Sequence, residues 1–124
     1  MMVKRSLVSV VDDDESVRES LPDLLRELGY EAEAFSSAEA FLASDALGRT
    51  RCLILDIAMP NMSGPELQRQ LALRGETIPI VFITAQANEA TRLRVLQQGA
   101  VECLLKPFSD TALMNALKTA TRVN

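Results

Sequence analysis

The run Cys52-Leu53-Ile54-Leu55-Asp56 decides the fold. It is a short apolar stretch that ends in a carboxylate, and Ile57-Ala58-Met59-Pro60-Asn61-Met62-Ser63-Gly64 follows as a turn and a helix start. An apolar run this short, bounded by turn residues, reads as a buried parallel strand. The carboxylate then stands at the strand's C-terminal end, where open α/β sheets bind their ligands. A strand-end Asp leading into a turn is common, so Asp56 alone says little. Three other strand ends give it meaning.

Upstream, Leu7-Val8-Ser9-Val10-Val11 is a second such run, ending at Asp12-Asp13-Asp14. A helix is expected from about Glu15 to Leu28, with Val17, Leu21, Leu24, Leu25 and Leu28 at helical spacing and Gly29 as its stop. Pro22 inside it removes a backbone bond, at a cost of roughly 3 kcal/mol, and predicts a kink or a local break. Tyr30-Glu31-Ala32-Glu33-Ala34 alternates as an edge strand does. Ser36 and Glu39 fit a capping box at the start of a second helix.

Downstream, Ser63-Gly64-Pro65-Glu66 is another capping box, opening a helix that runs to about Arg74. Ile78-Pro79-Ile80-Val81-Phe82-Ile83 reads as a strand ending at Thr84-Ala85. A helix over roughly Asn88 to Gln98 follows, with Leu93 and Leu96 expected inward and Gly99 as its cap. The last strand, Ala100 to Leu105, ends at Lys106-Pro107, and Ser109 opens a helix with Leu113, Ala116, Leu117 and Ala120 on one face. Five βα units imply a parallel sheet with helices on both faces. An edge position for the second strand gives the flavodoxin-like doubly wound order 2-1-3-4-5.

Composition bounds the function. The 124 residues make one domain, taken as residues 1–124, and 48% of them are apolar. Thirteen basic against seventeen acidic residues give a net charge of −4, and no basic stripe suited to nucleic acid is present. The absence of His removes His-based metal sites, Ser/His triads and phosphohistidine chemistry on this chain. Cys52 and Cys103 lie singly in apolar runs, as reduced core residues of a cytosolic protein do. Met1 to Arg5 open the chain without a long apolar segment, so neither a signal peptide nor a membrane span is expected, and the protein is placed in the cytoplasm.

In this strand order the polar strand ends share one rim. Asp12 and Asp13 come from the first strand, Asp56 from the third, Thr84 from the fourth and Lys106 from the fifth. Two unit charges at ~4 Å repel by ~4 kcal/mol at an effective dielectric of 20. Three converging carboxylates with one Lys therefore imply a hard divalent cation, and an open site with few carboxylates favours Mg²⁺. Such a set suits phosphoryl transfer to a carboxylate. Asp56 is then the nucleophile, Asp12 and Asp13 the metal acids, Thr84 a hydroxyl donor and Lys106 a counter-ion. Taken singly, each has a plainer reading. Asp12 to Asp14 could be a solvated turn that caps a helix, Thr84 a turn residue, and Lys106 a charge before a Pro.

The ordered set resembles the receiver domain of bacterial two-component response regulators over the whole chain. The matching residues are Asp12-Asp13, Asp56 with Met59-Pro60 and Ser63-Gly64, Thr84-Ala85, Gly99-Ala100 and Lys106-Pro107-Phe108. Their spacings, 43 residues from Asp13 to Asp56, 28 on to Thr84 and 22 on to Lys106, are similar to the family's. The Asp56 to Gly64 segment and Lys106-Pro107-Phe108 resemble most the FixJ-like receivers that precede a LuxR-type DNA-binding module. The resemblance implies that Asp56 accepts a phosphoryl group from a sensor histidine kinase. It implies Mg²⁺ on Asp12 (through water), Asp13, Asp56 and the Ala58 carbonyl, and a cis Lys106-Pro107 bond. It further implies an output face on the fourth helix, fifth strand and fifth helix. That face would serve a possible homodimer or a DNA-binding output domain outside this chain. The domain would catalyse only its own phosphorylation and dephosphorylation.

Two departures stand out. The family's usual aromatic three residues before the Lys is Cys103 here, and the positions flanking the path of attacking water are Ala58 and Gln86. Cys103 is too small for the usual aromatic relay. Coupling is then expected through Ala85 to Asn88 and a repacking of Leu93. Two other functions compete. One is a Mg²⁺-dependent phosphatase of the haloacid dehalogenase type, with Asp12 and Asp14 as nucleophile and acid. The other is an inert receiver-like binding module, which would have no need of the acidic set.

Overall fold

A computed structural model describes residues 5–122. Met1 to Lys4, part of the expected leaderless start, lie outside the described residues. The elements in chain order are β1 (Leu7–Val11), α1 (Glu15–Glu27), β2 (Glu31–Phe35), α2 (Ala38–Leu42), a 3₁₀ turn (Asp45–Gly48), β3 (Thr50–Asp56), α3 (Gly64–Leu73), β4 (Ile80–Thr84), α4 (Glu89–Gln97), β5 (Glu102–Leu105) and α5 (Asp110–Arg122). All strand pairs are parallel, and the sheet order is β2-β1-β3-β4-β5, as expected.

Alternation along the central strands feeds two cores. Leu53 and Leu55 face one layer, with Phe41, Leu67, Phe82 and Val95. Cys52 and Ile54 face the other, with Leu21, Leu25, Leu113 and Leu117. Cys52 and Cys103 therefore sit buried and free on opposite sides of the sheet. Register brings Asp56 beside Ile83 and Thr84 beside Leu105, so the strand ends form a common rim.

Helix signals in the sequence are mostly obeyed. Ser63 and Glu66 complete the capping box of α3, and Gly29, Gly75 and Gly99 take positive φ just past their helices. Ser109 Oγ accepts from Ala112 N at the start of α5. Three expectations fail. The box on Ser36 does not form; β2 extends to Phe35, and Ser37 becomes the cap of α2, accepting from Ala40 N at 3.0 Å. The local break allowed for at Pro22 does not occur, since α1 runs unbroken for 13 residues; Leu21, Pro22 and Leu25 are all buried, and burial outweighs one lost backbone bond.

Leu93 is 48% exposed, and Val95 is instead the fully buried residue of α4. At ~100° per residue, Leu93 and Val95 lie on opposite sides of the helix. A helix turned to bury Val95 must expose Leu93. The expected repacking of an inward Leu93 therefore has no starting point.

Candidate functional site

Asp12 lies just beyond β1 and is wholly buried. Asp14 N donates to its Oδ1 at 2.9 Å, Lys106 Nζ to its Oδ2 at 2.8 Å, and Arg18 Nη1 to its backbone carbonyl at 3.0 Å. Such charge-assisted bonds fix the orientation of the carboxylate. Asp13 is exposed, and Asp56 at the end of β3 is buried. One carboxylate oxygen from each of Asp12, Asp13 and Asp56 falls within 4.8 Å of the others. The three predicted acids thus converge.

Lys106 follows β5 and is positioned by its own N–H, which donates to Thr84 O at 2.7 Å. Its Nζ stands 3.8 Å from Asp56 Oδ1, farther than from Asp12. Burial works against its charge, but the bond to Asp12 and the neighbouring carboxylates outweigh it and raise the pKa. One ammonium does not balance three carboxylates. Burial first, and then the Asp12 charge, push Asp56 up to about 7 despite the opposing pull of Lys106. Three carboxylates with oxygens within 4.8 Å of one another and a single ammonium make a site of hard oxygen donors that fits a divalent cation.

Thr84 and Ala58 line the same cleft as Asp56 and Lys106. The Thr84 hydroxyl is turned into its own loop, where it meets both the N–H and the carbonyl of Gln86 at 3.2 Å. The Lys106-Pro107 bond is cis. Cys103 is buried and lines the cleft, with a thiol pKa raised by burial.

Two contributors escaped sequence reasoning. Arg18 carries no motif signal. Gly64 was legible as part of a capping box and of the Ser63-Gly64 match, but neither showed that its bare Cα lies against the Asp56 backbone. A Cβ there would overlap the Asp56 carbonyl oxygen and reach within 3.0 Å of the Phe82 ring. Gly64 N also donates to Ile57 O at 2.9 Å, closing the loop behind the carboxylate.

Residues 8–118 match the family described as the response regulator receiver domain. The chain belongs to that family. The receiver is 40% identical over 120 residues to the response regulator protein TmoT of Ectopseudomonas mendocina, covering 97% of this chain and 54% of that one. It is 39% identical over 114 residues to the transcriptional regulatory protein FixJ of Rhizobium meliloti, covering 92% of this chain and 56% of that one. It spans about half the length of these curated relatives. Among solved structures it superposes on FixJ-N with a TM-score of 0.87 at 35% identity, covering 98% of each chain. On the response regulator StyR the TM-score is 0.89 at 45% identity, over 98% of this chain and 61% of that one.

The receiver geometry leaves the phosphatase alternative without support. Asp14 does not join Asp12 in a catalytic pair; its side chain caps α1, accepting from Ser16 N and Ser16 Oγ. Those two bonds hold its pKa below the ordinary carboxylate value. Asp12 is enclosed, and each of its oxygens already accepts a hydrogen bond, from Asp14 N and from Lys106 Nζ, a poor setting for a nucleophile. No helix among the described residues is long and apolar enough to cross a membrane.

Proposed function

We propose that this receiver, taken as residues 1–124, is a phosphoacceptor switch in which Asp56 takes a phosphoryl group from a sensor histidine kinase. The supporting observation is the placement of Asp56, with Asp12 and Asp13 oxygens within 4.8 Å and Lys106 Nζ at 3.8 Å. An Asp56 oxygen attacks phosphorus in line with the P–N bond of the phosphohistidine. The P–O bond forms as P–N breaks, and the imidazole leaves with that electron pair and takes up a proton. Asp12, Asp13, Asp56 and the Ala58 carbonyl would hold Mg²⁺, which when bound neutralises the acidic cluster and the charge on the transferring oxygens. Lys106 leans from Asp12 to the phosphoryl oxygens, and the Thr84 hydroxyl leaves Gln86 to donate to one of them.

The chain acts on its own aspartate and on no separate substrate. Its output passes through α4, β5 and α5 to a second copy or to a DNA-binding domain. The transcriptional regulatory relatives, about twice as long, support that extension. Two unpaired buried thiols support a cytoplasmic setting.

The test is to incubate the protein with Mg²⁺ and acetyl phosphate and map the acyl phosphate by mass spectrometry. Label is expected on Asp56 and nowhere else. Wild-type labelling of Asp56→Asn would overturn the assignment.

A further inference from the structure

The cleft beside Asp56 has a volume of about 560 Å³ and continues beneath the first turn of α4, where Asn88, Glu89, Thr91, Arg92, Cys103 and Leu105 line it. That turn is lightly held. None of its side chains is fully buried. Asn88 Oδ1 caps it, accepting from Thr91 N at 3.0 Å, and Arg92 forms exposed ion pairs with Glu89 and Glu102 at 3.3 and 3.7 Å.

The other end of α4 is held differently. Val95 is 0% exposed and packs in the core that contains Leu67, Leu71 and Phe82. Its carbonyl accepts twice, from Ala100 N at 3.0 Å and from Gln68 Nε2 at 3.1 Å. Gln68 belongs to α3 and is only 6% exposed. Its Oε1 has no donor among the described residues, so the polar tie of this side chain runs to α4. Burying a carboxamide is unfavourable unless its hydrogen bonds are made. An apolar side chain of the same length would fill the space without that penalty. What the amide adds is direction: it fixes one carbonyl of α4 relative to α3.

We propose that Gln68 and Val95 form a fixed pivot, about which the first turn of α4 moves over the cleft when Asp56 is phosphorylated. This rests on Asp56 being the phosphoacceptor. Gln68 touches neither the carboxylates nor the cleft; it is a positioning residue that acts through Val95. The small Cys103 leaves room beneath the moving turn, and the anchored end keeps the motion a swing rather than a slide.

Hydrogen–deuterium exchange resolved to single amides tests the pivot, with and without beryllofluoride and Mg²⁺, and with ¹⁹F NMR reporting the bound fluoride. In wild type the mimic is expected to change exchange at Arg92 by about tenfold or more and leave Gln98 and Ala100 within about twofold. In Gln68→Met, an apolar residue of similar length, the mimic should change exchange at Gln98 and Ala100 as well. Bound fluoride with equal changes at both ends of wild-type α4 would overturn the pivot and leave the phosphoacceptor reading intact. So would a wild-type pattern in Gln68→Met. Absence of a bound fluoride signal would overturn the phosphoacceptor reading and the pivot with it. The wild-type comparison decides the matter even if the variant folds poorly.

Discussion

Lys106 Nζ lies 2.8 Å from Asp12 Oδ2, with the lysine side chain 19% exposed and that of Asp12 fully buried. The pair is therefore a largely desolvated one, and removal of one partner strands the other. Lys106→Met should lower stability by about 3 kcal/mol in the presence of a chelator. Saturating Mg²⁺ should recover part of that loss by giving Asp12 another positive neighbour. Urea denaturation with EDTA and with Mg²⁺ measures both. Equal losses in the two conditions would separate the lysine from the metal site.

Asp56 predicts an unusual pH dependence in metal-free protein. Its folded pKa of about 7 lies above the ordinary 3.8. Between those values the folded state binds more protons than the unfolded one, so stability falls as pH rises. The contribution is fully present below pH 3.8 and lost as pH passes through about 7. Asp56→Asn cannot lose that proton. Its melting temperature should decline less than that of wild type between pH 5 and about 8, and it should be the more stable protein at the upper end. Parallel curves would refute the assignment of the shift to Asp56.

Mg²⁺ should stabilise wild type by ~1.4 kcal/mol at ten times its dissociation constant. Asp13 is the exposed member of the cluster. Asp13→Ala should thus change stability without metal by no more than ~0.5 kcal/mol while removing the Mg²⁺ increment. Thermal melts with and without the ion give the answer. A full increment in the variant would take Asp13 out of the ligand set.

Gly64→Ala places a methyl group against the Asp56 carbonyl oxygen, a backbone atom that cannot rotate aside. The chain must shift at the loop that follows Asp56. A loss of about 2 kcal/mol is expected, in the range of overpacking elsewhere. Slower labelling of Asp56 by acetyl phosphate should accompany it. Unaltered labelling kinetics in a folded variant would show that the loop absorbs the methyl group without moving the carboxylate.

The carboxylate cluster was legible because its members stand at strand ends, and parallel strands all end on one rim. Strand-end position picked out Asp12, Asp13, Asp56, Thr84 and Lys106. What stayed hidden depends on rotation or on proximity. The facing of α4 could not be settled, because Leu93, Val95 and Leu96 are all apolar and burial of Val95 was decided by the sheet beneath. Ser36 and Ser37 are equivalent caps until the last residue of β2 is known. Gln68 looks like any polar helix residue; only the approach of α4 makes it interior. Pro22 shows propensity yielding to burial.

The first turn of α4 also bears on how quiet the receiver is when no kinase acts. It is held by one cap worth about 1 kcal/mol and exposed ion pairs worth about 0.5 kcal/mol. A conformer ~1.5 kcal/mol above the resting one is populated at ~7%. A fraction of molecules would then carry the displaced turn with no phosphoryl group on Asp56. On the proposed function, signalling through such a receiver would have a floor above zero, and a kinase would amplify that basal output rather than create it.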